Sequence, residues 1–135
     1  MKIMHTVQTD DGSVCLSLGD GDTIAELIAR GANGKEVTVH LGYSEVESLL
    51  NAAAIVRLGL HNGDRCRVVP NTTHTLGGVT DLDALGGAVT FALASRDAAY
   101  TLIVGSGAGT ATALTVSDAA HESLIVGLST MLSQL

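Results

Sequence analysis

Apolar residues recur along this chain with two different periods, and the period changes twice. Over 3–41 the spacing is two. Residues 3–9 alternate, and Val14, Leu16 and Leu18 place one apolar face on the run that follows, so the Asp10-Asp11-Gly12-Ser13 cluster between them predicts a hairpin turn. Residues 23–30 fit a helix or a strand equally well by themselves. Gly31-Ala32-Asn33-Gly34 then turns the chain into Val37, Val39 and Leu41, again one buried face of a strand. From there the spacing becomes helical: Val46, Leu49, Leu50, Ala53, Val56 and Leu60 form a stripe. Ser44-Glu45-Val46-Glu47 predicts the start of that helix, the Ser hydroxyl and the Glu carboxylate each satisfying an orphan backbone donor.

The second half repeats this order. Residues 1–60 align without a gap on 76–135 at a constant offset of 75, with eleven identities, among them Gly12/Gly87, Val14/Val89, Leu18/Leu93, Leu27/Leu102, Gly34/Gly109 and Leu49/Leu124. In a chain so rich in Ala, Gly and Leu, identities alone carry little. The alignment gains weight because turns fall on turns and apolar positions on apolar ones, as at Leu16/Phe91, Val39/Leu114 and Leu41/Val116. It also settles residues 23–30, whose counterpart Tyr100-Thr101-Leu102-Ile103-Val104 is β-rich and too short for a helix. The second half closes as the first does, with Ser117 or Asp118 as cap and Leu124, Ile125, Leu128, Met131, Leu132 and Leu135 as the stripe.

The expected fold is therefore α+β: an internal duplication of a ββββα unit, with two antiparallel sheets and two amphipathic helices packed at a pseudo-two-fold centre. Residues 1–60 form the first repeat, 61–75 a polar linker and 76–135 the second repeat, within one compact pseudo-dimeric domain. The linker holds Asn62-Gly63 and Pro70, and its Arg65-Cys66-Arg67-Val68-Val69 has the composition of a short strand. The strands at 88–93 and 112–116 carry small or apolar groups on both faces, which suits burial against another subunit and predicts a homo-oligomer.

Composition narrows the functions. With one Phe, two Tyr and no Trp, the core must be built from Val, Leu, Ile and Ala. A net charge of −7 repels bulk nucleic acid at long range, and after Arg67 the only positive side chain is Arg96. Cys15 and Cys66 lack C-x-x-C spacing, which predicts reduced thiols and a cytoplasmic setting. No apolar run reaches the ~18 residues of a membrane span, and no signal peptide is evident.

The order ββββα, taken twice, with a tight first hairpin and a fourth strand running directly into a capped helix, resembles the Whirly family and the related transcriptional-coactivator domain that dimerises through its helices. It is similar as well to the Pur-repeat arrangement, in which two ββββα units interlock. The closest local likeness is the stretch 37–49, strand into polar cap into amphipathic helix. The resemblance is topological and covers most of the chain. It implies a non-enzymatic protein that holds single-stranded nucleic acid along its sheets with cations for phosphates and flat rings for bases, each stack worth about 1–3 kcal/mol. The residues here that fit such a role are Lys2, Arg30, Lys35, Arg65 and Arg67, with Tyr43 and Tyr100 as stacking rings. The rival expectation is a structural, self-assembling interaction protein, of the kind associated with viral coats, without affinity for nucleic acid. A third is a small-molecule site between the units.

No other chemistry is diagnostic. Residues 105–110, Gly-Ser-Gly-Ala-Gly-Thr, have the composition of a phosphate loop, but a strand follows instead of a helix N-terminus, so a hairpin turn is expected. His61, Cys66 and His74 lack paired ligand spacing, and Asp20-Gly21-Asp22 lacks the remainder of a calcium loop, so neither a metal nor a cofactor is expected. There is no G-x-S-x-G elbow. His5, His40 and His121 fall on strand or helix faces, where sequence alone does not assign them partners.

Overall fold

The computed structural model describes residues 3–19, 21–32, 34–59, 65–69, 72–76, 87–93, 100–106 and 111–135; of 55–59, 65–69, 72–76, 87–93 and 106 the backbone alone is described. The protein is α+β, with two antiparallel sheets and two helices. The first sheet has the order β1 (Ile3–Thr9), β2 (Gly12–Leu18), β3 (Ala25–Gly31) and β4 (Glu36–Leu41), a meander in which each strand pairs with the next. Helix α1 follows at Tyr43–Gly59. The remaining strands, β5 (Arg65–Val69), β6 (Thr72–Leu76), β7 (Gly87–Leu93), β8 (Tyr100–Ser106) and β9 (Ala111–Val116), form the second sheet in the order β6-β5-β7-β8-β9, and α2 (Asp118–Gln134) closes the chain.

The 23–30 stretch extends from Ala25, as β3, in keeping with its counterpart. The alternation also names the buried face correctly: Val14, Leu16, Leu27, Ala29, Val37, Val39, Leu41, Leu102, Val104, Leu114 and Val116 are all buried. Register carries the likeness between the halves further. β2 pairs with β3 as Gly12↔Gly31 and Leu16↔Leu27, and β7 pairs with β8 as Gly87↔Ser106 and Phe91↔Leu102, every partner displaced by 75. The pairings β3 with β4 (Leu27↔Val39) and β8 with β9 (Leu102↔Leu114) obey the same offset.

One local expectation needs correction. The first helix starts at Tyr43, so Ser44 lies inside its first turn, and the carbonyl of Gly42 accepts from the Val46 amide at 3.0 Å. The second helix is capped as expected, with the Ser117 hydroxyl accepting from the Ala120 amide at 3.3 Å. Gly42 and Ser117 are 75 apart, so the offset located the cap better than the capping-box motif did. The linker holds the strand that its composition suggests. Its 65–69 segment is a strand, joined by β6, and β5 takes the place beside β7 that β1 occupies beside β2. The counterpart of β1, at 78–84, lies outside the described residues.

Each helix packs mainly on the other half's sheet. α1 contacts β5, β6 and β7, whereas α2 contacts β1 and β2, and the helices meet one another; β4 contacts β8, and β3 contacts β9. Close approach is built into this exchange at Gly127: a Cβ there would collide with the His5 ring and come within 2.9 Å of Leu16, so only glycine lets α2 settle on β1 and β2. His5 completes the contact, its Nε2 donating to the Ser123 carbonyl at 2.8 Å. Asp11, in the first hairpin turn, accepts from the Thr115 amide at 2.8 Å and the Thr115 hydroxyl at 3.3 Å, which ties that turn to the edge of β9.

Candidate interaction surface

Because both helices pack inward, the outer face of the first sheet carries no covering element among the described residues. Register lays that face out in three cross-strand rows. They run Met4, Ser17, Glu26, His40; then Thr6, Cys15, Ile28, Thr38; then Gln8, Ser13, Arg30, Glu36. A depression of about 360 Å³ crosses it, with Met4, Thr6, Cys15, Ile28 and Arg30 in its lining. Met4, 61% exposed, is the most exposed large apolar side chain among the described residues. The sequence pattern places Cys15, Ser17, Glu26, Arg30, Thr38 and His40 outward, and of these Ser17 is nevertheless buried. Sequence reasoning missed the contribution of β1, although the alternation of Met4, Thr6 and Gln8 against Val7 carried the signal.

Electrostatically this face is balanced or slightly acidic. The Arg30 Nε donates to Glu36 at 3.0 Å and its NH2 group makes a second bond to the same oxygen, while Glu26 is exposed on the same face. Such an exposed pair adds little stability, but it leaves the guanidinium already engaged with a carboxylate. The row neighbours Glu26 and His40 are both exposed, facing each other across β3 and β4.

The residues expected to contact nucleic acid fall at several places in the fold. Lys2 lies outside the described residues. Lys35 precedes β4 and Tyr43 follows it, so about 20 Å of strand lies between them. Both are exposed, Tyr43 at 52%. Tyr100 is a correction: it is 0% exposed, and its hydroxyl lies 2.9 Å from His121 Nδ1 with the rings edge to face at 85°. A ring sealed in the core stacks on no base. Arg65 and Arg67 stand on β5, opposite Ala92 and Thr90 of β7.

Asp22 Oδ2 accepts from the Gly19 amide at 3.1 Å, and Gly21 has φ +76°, so the acidic stretch after β2 is a self-bonded turn. No cluster of three or more His, Cys, Asp or Glu able to hold a metal occurs among the described residues, and His61 and residues 107–110 of the glycine-rich turn lie outside them. A second depression, between the turns of the first sheet and β9, is lined by Asp11, Gly31, Lys35 and Thr112, with Asp11 engaged by Thr115. No described helix is long and apolar enough to cross a membrane. Comparison with family models, curated proteins and solved structures yields no match to this chain.

Proposed function

We propose that this chain is a non-catalytic, self-assembling interaction protein of a reducing, cytoplasmic compartment: a duplicated ββββα unit that folds as a covalent pseudo-dimer. The constant offset of 75 in two strand registers supports the duplication. So does the reciprocal packing, α1 on β5 to β7 and α2 on β1 and β2. The observation that carries the functional reading is the outer face of the first sheet, on which no described element packs. Its arginine is held by Glu36, Glu26 adds a further negative charge, and Met4 and Ile28 supply apolar contact, which suits a protein surface and opposes a phosphate backbone. Sedimentation velocity across a concentration series tests it. A mass that rises to a defined assembly is expected; a monomer at every concentration overturns the reading.

A second reading, a Whirly-like binder of single-stranded nucleic acid, draws on the interlocked packing and on the two arginines of β5. Fluorescence anisotropy with labelled oligonucleotides tests it. Binding that weakens steeply with salt and is lost in the Arg65→Glu, Arg67→Glu double variant supports it, and no binding at low salt ends it.

A further inference from the structure

The assembly proposed above needs a contact, and the geometry points to β1: we propose that the free edge of β1 pairs antiparallel with β1 of a second copy, joining the two first sheets into one continuous sheet of eight strands. This inference rests on the self-assembly reading and names its interface.

The four edges of the two described sheets are not alike. The edge of β9 is engaged by Asp11, and the edge of β4 lies against the second sheet through β7, β8 and β9. β1 ends the first sheet with nothing paired beyond it among the described residues, α2 packing on its inner face; β6 ends the second, with α1 against it and its backbone alone described, so β1 is the terminal edge whose side chains are described. An exposed edge is ordinarily blunted by lysine, proline, a bulge or an inward charge. β1 has none of these. Its seven residues, Ile-Met-His-Thr-Val-Gln-Thr, hold no Lys, Arg, Asp, Glu or Pro, and they pair with β2 without interruption from Ile3↔Leu18 to Thr9↔Gly12.

The hydrogen-bonding direction follows from the hairpin. Thr9 and Gly12 close a two-residue turn and exchange bonds, so the peptide groups of Thr9, Val7, His5 and Ile3 turn toward β2. Those of Met4, Thr6 and Gln8 then turn to the free edge. A two-fold axis through Thr6 sets Thr6 against Thr6 and Met4 against Gln8 of the second copy, with His5 against Val7 on the inner face. No pair opposes like charges, and polar and apolar faces stay in phase. The partner is a second copy of this chain because an uncharged strand paired with itself about Thr6 sets exposed Met4, Thr6 and Gln8 on one face and His5 and Val7 on the other, with no charge opposed.

Size exclusion with light scattering on the full chain decides the matter. Wild type is expected at twice the 13.7 kDa chain mass. Thr6→Pro deletes the central outward amide without taking a bond from the β1 and β2 ladder, and it should return the protein to a monomer with an unchanged circular dichroism spectrum. Thr6→Lys, at an exposed position, should do the same by setting two ammonium groups face to face. A wild type that stays monomeric overturns both this contact and the self-assembly reading. An assembly that persists in Thr6→Lys, or whose mass keeps climbing past two chains, overturns the contact and leaves the self-assembly reading standing.

Discussion

Where β3 enters the first sheet and α1 begins, the chain buries Ala25 and Val46; 75 residues later, β8 and α2 bury Tyr100 and His121 at the matching places. One half fills the position with a methyl and an isopropyl group. The other fills it with two rings and a hydrogen bond at 2.9 Å. The backbone registers around these sites agree, so the difference is one of side-chain volume and polarity on an equivalent frame. Matching strand registers therefore constrain which positions are buried and leave the chemistry of burial free, within the limit that a buried polar group must find a partner.

A second pair sharpens the point. Ala52 of α1 and Gly127 of α2 occupy matching positions, and only the second sits where a Cβ would strike His5 and crowd Leu16. Gly127→Leu should have the largest effect among the variants that break this comparison, lowering the stability of the chain by about 2–4 kcal/mol in urea titration as α2 is forced from β1. Gly127→Ala should still destabilise, by about 1–2 kcal/mol, although alanine is the better helix former by about 1 kcal/mol. Neutral behaviour of both variants would show that the two helices seat equally closely.

Next in size is the ring pair. Tyr100→Phe removes a buried hydroxyl and should cost about 1–3 kcal/mol, and a double-mutant cycle with His121→Val should return a coupling of about 0.5–3 kcal/mol. Additive losses would make the two residues independent fillers of the core. Asp11→Ala leaves the Thr115 amide without its carboxylate and should cost about 1–2 kcal/mol, read as a shift of the urea midpoint. The residue 75 beyond Asp11 is Gly86, so the tie is peculiar to one side of the molecule.

The caps give the smallest effects. Ser117→Ala should cost about 1 kcal/mol, while Gly42→Ser, which writes the second half's cap into the first, should gain a few tenths. Equal and opposite changes would mean that Gly42 is a true structural deficit; no gain would mean that the Glu45 carboxylate, which lies 3.2 Å from the position of a Cβ at Gly42, hinders the new side chain.

Some of this could be read directly from the chain. Alternation at Val14, Leu16, Val37 and Val39 gave the buried face of strands because side-chain direction in a strand is a local property of period two. The repeat gave the strand at Ala25–Gly31, since its counterpart beginning at Tyr100 is β-rich and aligned positions were expected to share a backbone. The role of Tyr100 itself was not legible: whether an aromatic ring meets solvent or the core depends on what packs over it, and that element, α2, arrives from later in the chain. The same holds for Arg30, whose partner Glu36 is six residues away in sequence but directly opposite in register.

Sequence alone thus determined the four strands of the first sheet, β7 to β9, the two helices and their order along the chain, because these follow from the spacing of residues within a few positions of one another; β6 it did not foresee. Only the tertiary structure decided that the helices cross to the opposite sheets, that β5 stands beside β7, and which edges are closed. Those outcomes turn on contacts between residues distant in sequence, from Arg65 opposite Ala92 to His5 with Ser123 and Asp11 with Thr115, whose energies no local pattern records.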